Sequence, residues 1–286
     1  MNRKFEFKKR QYPYEIGFEN FDGVSCYRNS TLQALFSIRS LNIFFKDVVN
    51  QNEYREKEHE VLASFARMIK ENHEHNKTKI LYAWDKFSTS IWEFPAFSNN
   101  FDRRRHEDAL EFMTVLIYHL NETWKKIKQG SIEDSIENMF KINIHTRQTC
   151  QAKRHEYSVI DNHFALFHIE IGEDSSLENS LINFFNNKHD DVCLTCRKET
   201  KKEYTMINKC RKIIQAPPVL VIQLQRFFQR NEKVFKNTGK IIIPFTLDLN
   251  EYFQEIQQED QKYQLSSIIF HIGHSAQCNY FKYKFT

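Results

Sequence analysis

Cys26 opens the segment CYRNSTLQALF, directly after Gly23, Val24 and Ser25. A cysteine at a helix N-terminus lies where unpaired backbone N–H groups and the helix dipole favour the thiolate, the form that attacks carbonyl carbon. Residue type and place allow a nucleophile, and equally a small buried residue that starts a helix. Further along, Cys193 and Cys196 form CLTC, a spacing that suits two ligands of one tetrahedral metal ion. Asp108 and Glu111 in HEDALEF stand three residues apart, which puts both carboxylates on one side of a helix. Taken alone, two such acids read as the polar face of an amphipathic helix.

The elements that must hold these groups follow from hydrophobic periodicity. Apolar residues recur at helical spacing in EVLASFARMIKE and in ALEFMTVLIYHLNETWKKI, where Leu110, Met113, Leu116, Ile117, Leu120 and Trp124 share a face. From about residue 138 the period falls to two, and FKINIHT, FALFHIEI, VLVIQLQRF, KIIIPFTLDL and YQLSSIIFHI predict strands. SSLENSLINFFNN predicts one more helix, with Ser175 and Glu178 at capping-box spacing and Leu177, Leu181 and Phe184 on one side. Helices first and strands second predict an α+β architecture, with the active or binding surface between the two parts.

Composition narrows the function classes. A length of 286 residues with 41% hydrophobic content supplies a sizeable core. Basic and acidic residues number 41 and 37, a net charge of +4, which makes no case for a nucleic-acid partner. The local excess in NRKFEFKKRQ predicts a solvated tail over residues 1–14, with one domain over 15–286. That tail lacks the apolar core of a signal peptide, and no uninterrupted apolar run of membrane-spanning length occurs. Six cysteines at irregular spacing do not read as a secreted disulfide framework. The expectation is an intracellular protein of cytoplasm or nucleus, with no membrane and no nucleic acid among its partners.

Five blocks stand in order along the chain: DGVSCYRNSTLQALF at 22–36, HEDALEF at 106–112, PPVLVIQLQRF at 217–227, IPFTLDLNEYF at 243–253 and YQLSSIIFHIGHSAQCNYFKY at 263–283. Together they resemble the ubiquitin-specific protease family of deubiquitinating cysteine proteases. The second block of that family has the form Q-Q-D-A-x-E-F, and its last the form Y-x-L-x-x-x-x-x-H-x-G-x-x-x-x-G-H-Y. The resemblance implies a papain-like fold with a helical thumb over about 15–130 and strand-rich palm and fingers over about 131–286. It implies ubiquitin or a ubiquitinated protein as partner, within a larger protein complex or outside one. Cys26 takes the nucleophile position, which attacks the isopeptide carbonyl, and Asp108, Glu111 and Tyr280 take substrate-binding positions. Arg226 and Phe227 match the family's R-F pair, as supports of the palm.

Three departures from the family pattern bear on activity. Cys278 and Asn279 stand where the family has a glycine and the general-base histidine. An asparagine amide takes up no proton near neutral pH, so Asn279 cannot act as that base. His274, five residues earlier, lies about 16 Å away along an extended strand unless a turn shortens the path. The family's third catalytic residue lies beyond the histidine strand, and the sequence stops at Thr286 before such a segment. The family's oxyanion asparagine stands five residues before the nucleophile, where this chain has Phe21; Asn20 is six before and a doubtful donor. Losing one member of a catalytic triad costs roughly 10⁴ to 10⁶ in turnover.

The leading expectation is therefore an inactive domain that binds ubiquitin or a partner protein. The alternatives are an active thiol-dependent deubiquitinase and a structural subunit of a larger assembly. No cofactor is required for the chemistry. Zinc is implied in the fingers, where the family uses two C-x-x-C pairs. CLTC supplies one, whereas Cys150 in CQAKRHE has Lys153 at its partner's place. Either His155 completes a site with Cys150, Cys193 and Cys196, or the metal has been lost.

Overall fold

The computed structural model describes residues 17–20, 22–49, 59–128, 136–150, 155–171, 176–191, 193, 195–196, 198, 205–231, 233–252, 261–273 and 280–284. Among the described residues six α-helices come first: α1 (Cys26–Phe36), α2 (Arg39–Val49), α3 (Glu60–His73), α4 (Lys77–Ser90), α5 (Pro95–Ser98) and α6 (Ala109–Ile127). Strands β1 (Ile142–Cys150), β2 (Glu156–His163) and β3 (Leu166–Glu170) follow, then α7 (Leu177–Phe185). Next come β4 (Asn186–Asp191), β5 (Thr205–Gln215), β6 (Ile222–Gln225), β7 (Phe227–Arg230) and β8 (Lys233–Lys236). The chain continues with β9 (Thr246–Asp248), β10 (Lys262–Gln264), β11 (Ser267–His271) and β12 (Tyr280–Lys284). The architecture is α+β, as the order of periodicities predicts.

α6 covers the same span as its sequence pattern, because Asp108 caps it and Met113, Leu116, Ile117, Leu120 and Trp124 are buried along one side. Leu110 is only half-buried, and Ala109 and Phe112 take the inward positions of the first turn. α1 is different: all but one of its residues are buried, so it carries no apolar stripe for a periodicity argument to find. It runs through the helical core, where Tyr27, Leu32 and Leu35 meet Phe45, Phe65 and Phe112. Phe65 sits edge-on to Phe45 at 4.9 Å between ring centroids.

A second core lies under the strands. Leu181 and Phe185 of α7 pack on Ile142 and Ile144 of β1 and Ile213 of β5, and Phe185 stacks on Tyr252 at 4.3 Å. β1, β2, β4 and β5 form an antiparallel sheet in the order β2-β1-β5-β4. β3 pairs with β6 in parallel, β7 with β8, β9 with β10, and β11 with β12. Val219, Val221 and Ile269 pack against the helical core, which seats the strand-rich part on the helices. β11 and β12 lie beside α1 and so face the helix that carries Cys26.

Several strand expectations need correction. KIIIPFTLDL is not one strand: only Thr246–Asp248 is, and Ile242 makes an isolated bridge to Ser176. Pro244 removes a ladder donor and restricts the residue before it, which interrupts the run. YQLSSIIFHI breaks into β10 and β11 because the chain changes partner: through Leu265, whose N–H meets the Phe245 carbonyl at 2.8 Å, it runs along β9, and from Ser267 it pairs with β12. VLVIQLQRF breaks at Arg226 between β6 and β7. The cap of α7 is Ser176, whose hydroxyl accepts from the Asn179 N–H; Ser175 lies outside the described residues. Phe184 is half-buried and Phe185 takes the inward place. The polar segment NNKHDD becomes β4 because β5 offers it an open edge, a long-range choice with no local apolar signal. No described helix is long and apolar enough to cross a membrane.

Candidate active site and metal cluster

The loop before Cys26 is fixed by side-chain acceptors. Gly23 adopts φ +71°, a conformation that favours glycine, and its N–H closes a turn onto the Asn20 carbonyl at 3.1 Å. Asp22 Oδ1 accepts from the N–H groups of Val24 (3.0 Å) and Ser25 (2.8 Å). Asn20 Oδ1 accepts from Ser25 N–H at 2.9 Å and Ser25 Oγ at 2.8 Å. A backbone N–H must meet an acceptor, so the Asn20 oxygen faces Ser25 and the Nδ2 group is left to donate elsewhere. The turn closed by Gly23 thus brings the Asn20 amide against Ser25, the residue next to Cys26.

Ser25 spends its hydroxyl on Asn20, and no side chain caps α1. The field of the helix N-terminus therefore acts on Cys26, the first residue of the helix, which is 7% exposed. Behind it, Asp22 Oδ2 accepts from the guanidinium of buried Arg28 at 3.0 Å, and Arg28 lies over the Trp92 ring at 5.3 Å. Burial opposes the charge on Asp22, but hydrogen bonds from Ser25 and Val24 and the Arg28 charge outweigh it and hold the carboxyl below its ordinary range.

His106 also meets the thiol. Its Nδ1 stands 3.5 Å from Cys26 Sγ, nearer than the Val24 carbonyl at 4.0 Å. Two devices place this imidazole. On one side, Glu107 Oε1 accepts from the Asp102 N–H at 3.0 Å and closes the turn through Arg105. On the other, Asp108 Oδ1 accepts from Leu110 N–H (2.8 Å) and Glu111 N–H (2.9 Å) and starts α6. α1 is tied to that start by the Thr31 hydroxyl, which donates to the Ala109 carbonyl at 3.1 Å, and by Tyr27 edge-on to Phe112 at 5.4 Å. Sequence reasoning quoted HEDALEF but assigned His106 no role. The available signal was a histidine at the block's first position, where the family pattern has glutamine.

Asp108 is therefore a helix cap as well as a surface acid, and its Oδ2 faces Gln223 Nε2 of β6 at 3.5 Å, across from helices to strands. Glu111 is exposed, and burial first, then the charges of Asp108 and Glu107, raise its carboxyl above the usual range. On the strand side, Lys236 Nζ donates to His271 Nδ1 (3.0 Å) and to the carbonyls of His271 (2.9 Å) and Gly273 (2.7 Å). Arg226 donates to the carbonyls of Asn237 and Gly239 at 3.0 and 2.8 Å, bracing the chain after the β7–β8 hairpin. His274 and Asn279 fall outside the described residues; Tyr280 begins β12 and pairs in register with His271.

The second cluster lies at the far end of the four-stranded sheet. Cys150 ends β1 and His155 precedes β2, with the Cys150 N–H closing onto the His155 carbonyl at 2.9 Å. Cys193 and Cys196 follow β4, and the Cys196 N–H points at Cys193 Sγ at 3.5 Å. The four ligand atoms lie within 4.8 Å of one another. His155 Nδ1 is 3.6 Å from both Cys193 Sγ and Cys196 Sγ, and Cys150 Sγ is 3.4 Å from Cys196 Sγ. A tetrahedral zinc with bonds of about 2.0–2.3 Å spaces its ligands about 3.5–3.8 Å apart, so the donor set is compatible with that ion. Burial first, then hydrogen bonds and charge from Cys150 and Cys193, push the Cys196 thiol up to about 12. A dication is what such a group of thiols needs in order to ionise.

Comparison with known proteins agrees with this geometry. The family model for ubiquitin carboxyl-terminal hydrolase matches residues 16–285. Among curated relatives, ubiquitin carboxyl-terminal hydrolase 26 of Arabidopsis thaliana is 24% identical over 274 residues, covering 91% of this chain and 23% of its own length. The probable ubiquitin carboxyl-terminal hydrolase FAF of Drosophila melanogaster is 27% identical over 215 residues, 68% of this chain and 8% of that protein. The chain thus spans under a third of the length of these relatives. Two solved structures share the fold: the SAGA Ubp8/Sgf11/Sus1/Sgf73 DUB module bound to ubiquitin aldehyde, and the same module bound to monoubiquitin. Their TM-scores are 0.77 and 0.76 at 20% and 21% identity, each covering 94% of this chain and 62% and 61% of theirs. The fold is the α+β, papain-like one of cysteine proteases. The chain belongs to the ubiquitin carboxyl-terminal hydrolase family, that of the ubiquitin-specific proteases.

Proposed function

We propose that this chain is a ubiquitin-recognition domain that keeps the deubiquitinase fold and does not hydrolyse amides by the family's route. One observation carries the reading: Asn279, whose amide accepts no proton, stands at the general-base position immediately before β12, the strand that lies beside α1 and Cys26. The solved relatives are recorded with ubiquitin aldehyde and with monoubiquitin, which supports ubiquitin as the partner here. In this reading Asp108, Glu111 and Tyr280 receive the ubiquitin tail between the helices and the strands. Asn20 Nδ2 is the oxyanion donor, supported by the bonds that turn its oxygen to Ser25. Cys150, His155, Cys193 and Cys196 hold a structural zinc that fixes the β1–β2 end of the sheet, supported by four ligand atoms that all lie within 4.8 Å of one another.

The test is a calorimetric titration with monoubiquitin beside release of a fluorophore from the ubiquitin C-terminus, each run against Cys26→Ala. Binding with a dissociation constant well below millimolar, and no turnover above the alanine variant, is the expected result. Turnover near an ordinary enzyme's, about 10 per second, overturns it in favour of an active deubiquitinase. Absence of binding favours a structural subunit, a reading that draws on the multi-subunit modules of the solved relatives.

A further inference from the structure

We propose that Cys26 and His106 form an activated thiol–imidazole pair, a nucleophilic site for acyl groups with good leaving groups, above all a ubiquitin C-terminal thioester. The choice of acyl donor rests on the ubiquitin-binding reading above; the activated pair does not. Four observations bear on it. His106 Nδ1 stands 3.5 Å from Cys26 Sγ and accepts from the thiol in the tautomer that carries its proton on Nε2. The backbone on the C-terminal side of His106 is fixed by the Glu107-closed turn and by the Asp108 cap. Cys26 begins an uncapped helix. The loop before it carries an amide oriented by Ser25.

The chemistry separates thioesters from amides. Nδ1 takes the Sγ proton and leaves a thiolate beside an imidazolium. The thiolate adds to the thioester carbonyl and the bond to the departing sulfur breaks; that sulfur leaves as a thiolate, which needs no proton in the step, and takes up the imidazolium proton afterwards. The product is an acyl group on Cys26 with no net change in charge. A thiolate is a good enough leaving group for this sequence, whereas an amine must be protonated as it departs. The family supplies that proton from the base position, which here is Asn279. The chain would thus be acylated readily and cleave amides poorly.

Among the described residues, the charged groups on the elements around the pair have partners of their own, and Arg103 lies over the Trp92 ring at 4.9 Å. Asp22 and Arg28 are bonded to each other, Glu107 accepts from Asp102 N–H, Asp108 caps α6, and on the strand side Lys236 is held by His271 and Gly273. A variant at His106 therefore tests its contact with Cys26 while leaving those charges in place.

The experiment is the rate of Cys26 alkylation by iodoacetamide, read by peptide mass spectrometry from pH 5.5 to 9, in the full chain and in His106→Gln. Glutamine is the residue of the family pattern and takes no proton. Cys210, a half-exposed thiol on β5, is the internal reference. The expected result is about a tenfold faster reaction of Cys26 at pH 6 in the wild type than in His106→Gln, with the two rates converging above pH 8.5 and Cys210 unchanged. Equal rates at pH 6 in two folded proteins overturn the pair even if ubiquitin binds. Should His106→Gln unfold, the NMR titration of His106 in the wild type and in Cys26→Ser replaces it, and identical curves overturn the pair. A second arm mixes the chain with the ubiquitin thioester of mercaptoethanesulfonate. A reductant-sensitive adduct on Cys26 is expected. Fast alkylation without the adduct keeps the activated thiol and removes ubiquitin as its acyl donor.

Discussion

Replacing Asp108 by alanine and by asparagine separates its two roles. Oδ1 holds two first-turn N–H groups of α6 at 2.8 and 2.9 Å, and alanine leaves both without that acceptor. An N-cap lost in this way costs about 1 kcal/mol, within a range of 0.5–2. In a domain of this size that lowers the melting temperature by roughly 2–4 °C. Asparagine caps as well as aspartate, so Asp108→Asn loses only the charge at the helix N-terminus, about 0.5 kcal/mol. If Asp108 also meets the basic tail of ubiquitin, both variants lose a charge-assisted contact worth about 1.5–3 kcal/mol, or roughly 10- to 100-fold in affinity. The assay is thermal unfolding beside calorimetric titration with monoubiquitin. The expected pattern is a clear melting loss for alanine, a small one for asparagine, and a similar affinity loss for both. Wild-type affinity in Asp108→Asn would show a cap and nothing more, and an unchanged melting temperature in Asp108→Ala would refute the capping argument itself.

Three further outcomes follow from the geometry. Zinc should bind the chain with one equivalent held by Cys150, His155, Cys193 and Cys196; Cys196→Ser should abolish this in a colorimetric zinc assay and speed amide exchange at the β1–β2 end while the helical core stays protected. His119 lies against Phe94 and Phe97 with its Nε2 buried and without a partner among the described residues, and burial first, then the Lys126 charge, pushes it down to about 4. The unfolded chain then binds the extra proton, so stability present above about pH 6.5 is lost as pH falls towards 4, by up to about 3 kcal/mol. His119→Phe should flatten that part of the stability–pH curve measured by urea unfolding. Asn279→His should raise fluorophore release from ubiquitin less than a hundredfold, because the Cys26 thiol already faces His106 at 3.5 Å and a second imidazole would have to displace it. A larger gain would show that the thiol is free to turn to the strand side.

The active-site residues that sequence could name are those whose neighbours in the chain report on them. Cys26 follows Gly23, whose left-handed conformation is a local requirement, and α6 is legible over its whole length because one apolar face and one cap define it. The order of helices and strands likewise gave the α+β class, since each period is set over a few residues. Local signals failed where distant partners decide. α1 shows no stripe because it is buried on every side, and β4 forms from a polar run because β5 has an edge to pair. The turn at Gly23 brings the Asn20 amide oxygen to the Ser25 N–H at 2.9 Å, a contact that counting residues before Cys26 does not show.

The sequence by itself determined which groups are present: a thiol at a helix start, a C-x-x-C pair and two acids at the head of a helix. Tertiary structure alone decided which of them meet. His106 and Cys26 are 80 residues apart and come within 3.5 Å because Thr31 and Tyr27 lock α1 to the head of α6. His155 joins Cys193 and Cys196 from 38 and 41 residues away because the pairing of β1 with β5, and of β5 with β4, carries both segments to one end of the sheet. Types and local spacing are written in the chain one residue at a time. Proximity between distant side chains comes from burying two cores and completing a sheet, and no local pattern encodes it.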